Sequence, residues 1–217
     1  MRDMRDGMII DCFAGGGGAS VGIEMALGRQ VDIAVCVSFG LLEERQFRKL
    51  KGAGASRVHC NLEVSRKYFP KVCTTHTYDE KIAVLKAAKS AGLSICSGGI
   101  MGLGETMEDR IDMALDIRAL GVKSVPVNLL NPIKGTPYEK NEILTDEVFC
   151  RILAIYRFLI PDADIRLAGG RGLMADKGER CFQSGANAAI SGDMLTTAGI
   201  TVATDLALLK KLGYDVK

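Results

Sequence analysis

The sequence predicts an α/β fold built as a TIM-type (β/α) barrel. Three observations carry that expectation. Short apolar segments rich in β-branched residues alternate without a break with helical segments. The unit spacing is roughly 25 to 40 residues, close to the ~30 residues per unit of a ~250-residue barrel. Polar residues and glycines also gather just after the apolar segments, at Asn61 and Glu63, Ser97 to Gly99, Asn128 and Asn131, Arg166 and Gly169 to Arg171, and Gly192 and Asp193. In parallel α/β folds ligands bind at the C-terminal ends of the strands, so these positions define an expected functional rim.

In chain order the elements read as follows. MIIDC, residues 8–12, is a short apolar strand, followed by the loop FAGGGGAS and the helical VGIEMAL. Strand, glycine-rich loop and helix form a layout suited to phosphates or nucleotides, because the backbone can approach a ligand and the helix start favours negative charge. AVCVSFG, residues 34–40, is the second strand. LLEERQFRKLKGAG is an amphipathic helix with Leu42, Phe47 and Leu50 inward, closed by Gly52 and Gly54. The next strand, 57–61, runs into a long loop rich in hydrogen-bonding groups. TYDEKIAVLKAAKSAG is a helix with Thr77 placed as its cap and Ile82, Leu85 and Ala88 or Lys89 on its inner edge.

SICSGGIMGLGET reads as a strand entering a glycine-rich loop, MEDRIDMALDIRALG as a helix and SVPVNLLNP as a strand. TDEVFCRILAIYRFLIP is a helix capped by Thr145 and stopped by Pro161. DIRLAGG, the loop RGLMADKG, the helix ERCFQSGA, the strand NAAISGDML and the helix TVATDLALLKKLG complete the chain. These are seven strand candidates where a closed barrel has eight, so the expected barrel is incomplete.

Composition narrows the function. The 217 residues are 47% hydrophobic and 25% charged, with net charge +2. That balance gives no footprint for nucleic acid or an anionic membrane, and no apolar run reaches the ~20 residues of a membrane span. The opening MRDMRDGMIID is too short in apolar residues for a secretory signal, which points to the cytoplasm. Seven cysteines, an odd number with no CxxC pair, fit reduced thiols better than a disulfide framework.

Two resemblances sharpen the expectation. DCFAGGGGASVGIEMA resembles the first motif of cytosine-5 DNA methyltransferases, which holds S-adenosylmethionine; the resemblance ends near Ile33 or Ala34. The chain has no Pro-Cys pair, where those enzymes carry their nucleophile, so methyltransferase chemistry is the weakest of the readings. From about Val35 onward the chain resembles biotin synthase, a radical S-adenosylmethionine family. Six phrases in the family's order carry the likeness: CVSFGLL, HCNLEVSRKYFPKVCTTHTYDEKI, ICSGGIMGLGET, VPVNLLNPIKGTP, RLAGGR and GANAAISGDMLTT. This divides the chain into a foreign leader, 1–34, and a partial barrel, 35–217.

The resemblance implies sulfur insertion into dethiobiotin to form biotin. It implies S-adenosylmethionine, a 4Fe-4S cluster that cleaves it and a 2Fe-2S cluster that supplies sulfur, in a homodimer. Cys36, Cys96 and Arg166 match ligands of the two-iron cluster. Asn61 and Glu63 match positions that hold S-adenosylmethionine and dethiobiotin, and Asn128 matches a further substrate-contacting amide. Cys60 matches no ligand, and His59 and His76 read as hydrogen-bonding residues of the rim. The family's CxxxCxxC motif for the four-iron cluster does not occur in this sequence, nor does the third cysteine of the two-iron set. The expectation is therefore a biotin synthase-like chain without biotin-forming activity of its own. The alternative is a non-catalytic module that binds S-adenosylmethionine or dethiobiotin.

Overall fold

The computed structural model describes residues 35–192 and 199–214. The expected strand 8–12, its glycine-rich loop and helix, and Asp193 with the end of the NAAISGDML segment lie outside the described residues. The described residues form two compact units, one of 35–60 with 80–96, the other of 61–79 with 97–192 and 199–214.

The first unit is a parallel ladder of three strands. β1 (Val35–Val37) pairs with β2 (Ala55–His59), and β2 pairs with β3 (Ser94–Cys96). Helix α1 (Glu44–Gly52) joins β1 to β2. Its start is a capping box, in which Gln46 Oε1 accepts the Glu43 backbone N–H at 2.8 Å. Phe47 is the buried anchor of the helix, and Leu42 and Leu50 are only half-buried. Gly54, at φ 100°, supplies the left-handed turn into β2. Helix α2 (Tyr78–Ser90) leads to β3, with Leu85 and Ala88 fully buried.

The second unit holds four parallel strands: β4 (Gly99–Met101), β5 (Ser124–Leu129), β6 (Asp164–Leu167) and β7 (Ala188–Ala189). β5 pairs with both β4 and β6, and β6 pairs with β7. Five of the six β5 residues are buried, as expected of a parallel strand covered on both faces. Helix α3 (Met107–Leu120) connects β4 to β5, and α4 (Asp146–Leu159) connects β5 to β6. Thr106 caps α3 by accepting the Asp109 N–H at 3.2 Å, and Gly121, at φ 69°, closes it. Thr145 caps α4 through Val148 N–H, as the sequence indicates, and the helix ends at the residue before Ile160 and Pro161. The short α5 (Glu179–Gln183) and α6 (Val202–Lys211) follow β6 and β7.

Two sequence expectations are corrected, and a third segment gains detail. The strand expected at 57–61 lies at 55–59; its pairing to β3 ends with the Cys60 N–H on Cys96 O, and Glu63 at φ 72° then pairs with Gly99 instead. SICSGGIM is two strands: the Ser97 N–H bonds to Ser124 O, and the ladder breaks at Gly98. That glycine is required, since a Cβ there would lie 1.8 Å from Pro126 O. Finally, the loop after β2 is tied down over much of its length. It buries Leu62, Val64 and Phe69, contains a 3₁₀ turn (Phe69–Lys71), and bonds Ser65 Oγ to Asp109 Oδ1 at 2.5 Å.

Candidate functional site

Strand register decides which site residues face the same way. In the first unit Cys36 stands opposite Arg57, and His59 opposite Cys96. Side chains two apart on a strand share a face, so Cys36, Arg57, His59 and Cys96 point to one side of this ladder. His59 Nδ1 lies 3.2 Å from Cys96 Sγ. Burial, then the neighbouring Cys96, pushes the Cys36 thiol up to about 12, with Arg57 opposing. Burial and then Lys81 hold His59 down at about 4.

Two thiols on one enclosed face suit iron–sulfur ligation. A bare thiolate is disfavoured there, and a metal would supply the missing positive charge. Among the described residues no three His, Cys, Asp or Glu side chains converge as a ready metal cage. The donor type therefore fits, while the set is short of the four ligands a cluster takes.

The second unit holds the other expected residues. Asn61 Oδ1 accepts the Gly98 N–H at 3.0 Å, and Asn61 Nδ2 donates to Glu63 Oε2 at 3.4 Å. Glu63 sits in the left-handed region, which costs a non-glycine residue roughly 1–2 kcal/mol. Its backbone is fixed there by two bonds, from its own N–H to Gly98 O at 3.1 Å and from Ile100 N–H to its carbonyl at 2.9 Å. Asn61 and Glu63 therefore stand as a pre-set pair of an amide and a carboxylate.

Arg166 stands opposite Pro126, two residues before Asn128, so Arg166 and Asn128 share a face of this ladder. Burial lowers the pKa of the Arg166 guanidinium. The Asn128 amide is engaged at both ends: Nδ2 donates to Gly99 O at 3.1 Å and Oδ1 accepts from Gly169 N–H at 2.9 Å. A cleft of about 410 Å³ opens in the same unit beside Tyr68, Gly104, Glu105, Asn141 and Glu142, and none of the six expected site residues lines it. His76 sits in the loop before α2, 3.4 Å from Cys73 Sγ and 3.0 Å from Thr75 Oγ1. Cys60 is half-buried at the end of β2.

Sequence reasoning missed the weight carried by Arg171. Its position in the sequence suits the rim, but it is buried and paired with Asp205, at 2.6 Å between Nη2 and Oδ2. The signal available was an arginine and an aspartate in separate segments, which does not reveal pairing.

The β/α succession has close structural counterparts. Methylornithine synthase superposes with a TM-score of 0.72 at 17% identity, over 91% of this chain and 63% of that one. The FeFe-hydrogenase maturase from Carboxydothermus hydrogenoformans gives 0.71 at 16% identity, over 90% and 52%. Residues 19–117 match the Radical SAM superfamily, and residues 126–215 match the Biotin and Thiamin Synthesis associated domain. Together these define a radical SAM protein on a partial TIM-type barrel, as the sequence predicts.

Biotin synthase of Brachyspira hyodysenteriae is 61% identical over 191 residues, 88% of this chain and 57% of the relative. Biotin synthase 2 of Corynebacterium diphtheriae is 61% identical over 188 residues, covering 87% and 57%. Over most of its length the chain is similar to part of biotin synthase, and it spans a little over half the length of these relatives. No helix among the described residues is long and apolar enough to cross a membrane.

Proposed function

We propose that residues 35–217 carry part of the machinery for inserting sulfur into dethiobiotin, including groups that bind dethiobiotin and S-adenosylmethionine, behind a foreign leader, 1–34, whose end from residue 19 the Radical SAM match also reaches. The observation that carries this reading is the Asn61–Glu63 pair. A carboxylate in a costly backbone conformation, held by two backbone bonds beside a fixed amide, is the kind of strain that persists at binding sites. An amide offers both donor and acceptor to a cyclic urea such as that of dethiobiotin, and a carboxylate accepts from ribose hydroxyls. Asn128 lies at the end of β5 as a further amide for substrate, and the homodimer of the family is the expected assembly.

Cys36, Cys96 and Arg166 are proposed as ligands of a two-iron cluster, which when bound would supply the sulfur. The four-iron cluster has no CxxxCxxC motif in this sequence. The 217-residue chain alone is therefore proposed to bind without completing turnover, which is also what a non-catalytic binding module would do. Neither reading places the protein on nucleic acid or in a membrane, and both fit the cytoplasm.

Calorimetry tests this. Dethiobiotin and S-adenosylmethionine, titrated separately, are each expected to bind, and Asn61→Ala and Glu63→Ala to weaken one or both about tenfold or more while a melt shows the fold intact. Absence of binding of either ligand to the native chain would overturn the proposal.

A further inference from the structure

We propose that Cys150 and Cys181 form a redox pair, converted by small disulfides into a cystine that ties helix α4 to helix α5. Both lie in the second unit and take no part in the site described above, so the inference does not depend on the proposed function. Their sulfurs are 3.9 Å apart, in van der Waals contact, across a sequence separation of 31. Both residues are buried.

The contact is fixed by the packing around it. Arg157, two helical turns beyond Cys150 on α4, donates from Nε to Gly185 O at 2.9 Å and from Nη2 to Asn187 Oδ1 at 2.8 Å. Gly185 follows α5 at φ 119°, and a Cβ there would meet Arg157 Cβ at 2.8 Å. The turn after α5 is thus clamped against α4 at one point, while the two cysteines meet at another. Met174 Sδ, 3.5 Å from Cys181 Sγ, closes the other side of that thiol. A bond between the cysteines needs the sulfurs to approach by about 2 Å, within reach of side-chain rotation.

The chemistry balances as a thiol–disulfide exchange. Cys150 is the less enclosed of the two, at 7% exposure against none for Cys181, and its sulfur attacks the small disulfide RSSR. One RSH leaves with the proton that Cys150 gives up. Cys181 then attacks the Cys150 sulfur, loses its proton and expels the second RSH. Two thiols are oxidised and one disulfide is reduced to two thiols. Burial and then the neighbouring Cys150 raise the pKa of Cys181, so the exchange is slow and demands sustained oxidising conditions. The product is uncharged and suits the apolar surroundings.

The test uses the full chain incubated with excess hydroxyethyl disulfide, then alkylated, digested with trypsin and mapped by mass spectrometry. The expected product joins the peptide 141–151 to the one beginning at Cys181. Oxidation should raise the melting temperature by about 5 to 10 °C, reversibly with dithiothreitol. Cys150→Ser and Cys181→Ala should show neither effect. Recovery of Cys150 and Cys181 only as alkylated thiols or as separate mixed disulfides would overturn the proposal. That mapping is read on the native chain, so it decides the matter even if a variant fails to fold.

Discussion

The amide of Asn128 joins the backbones of Gly99 and Gly169, donating to one at 3.1 Å and accepting from the other at 2.9 Å. It therefore spans the β4 and β6 sides of the central strand β5, where a residue read as a substrate contact also holds the ladder ends together. Asn128→Ala removes both bonds and leaves a backbone acceptor and donor without them. It is expected to lower stability by about 1–3 kcal/mol, read from the urea midpoint at constant slope. Asn128→Asp keeps the acceptor and should cost less.

The ion pair between Arg171 and Asp205 is buried, at 3% and 7% side-chain exposure, and Arg171 Nη1 and Asp205 Oδ1 have no hydrogen-bond partner. Removing one member strands the other charge. Asp205→Ala is expected to cost about 3–5 kcal/mol, and a paired Arg171→Met, Asp205→Leu replacement to recover most of it. Thermal melts of the three proteins distinguish this from a loss of packing alone, which the double variant would share.

His59 makes stability depend on pH. Its pKa falls from 6.5 in the unfolded chain to about 4 in the fold. Between those values the unfolded chain binds a proton that the folded chain refuses, so stability is full above pH 6.5 and declines as pH falls towards 4. The loss is about 1–3 kcal/mol, reduced from the full linkage value because the ring is not completely buried. Denaturation at pH 7 and pH 5 measures it, and His59→Asn should flatten this step.

Helix α4 offers an internal comparison between two phenylalanines. Phe149 is 1% exposed and Phe158 is 88% exposed. Phe149→Ala should cost about 3–5 kcal/mol, and Phe158→Ala less than about 0.5 kcal/mol. Equal effects would mean that Phe158 is covered in solution by something further.

Much of this was legible in the sequence because it rests on local physics. The cap Thr145, the buried anchor Phe47 and the apolar run of β5 follow from short-range pattern, and the structure has them in place. The alternation of elements and the family phrases gave the barrel class. What stayed hidden depends on distant segments meeting. The left-handed Glu63 exists because Gly98 and Ile100 fix its backbone, and the break at Gly98 exists because Pro126 O comes so close. Arg171 reads as a polar rim residue until Asp205, 34 residues on, is seen to bury it. The pairing of Cys150 with Cys181 likewise has no local signature.

The most direct test of the account is anaerobic reconstitution with iron and sulfide, with iron counted per chain and absorption and EPR spectra recorded. The account predicts that the 217-residue chain forms no four-iron cluster and yields no 5′-deoxyadenosine from S-adenosylmethionine under reducing conditions. A four-iron cluster that cleaves S-adenosylmethionine would contradict it, and would mean that cysteines outside any CxxxCxxC motif build a radical site.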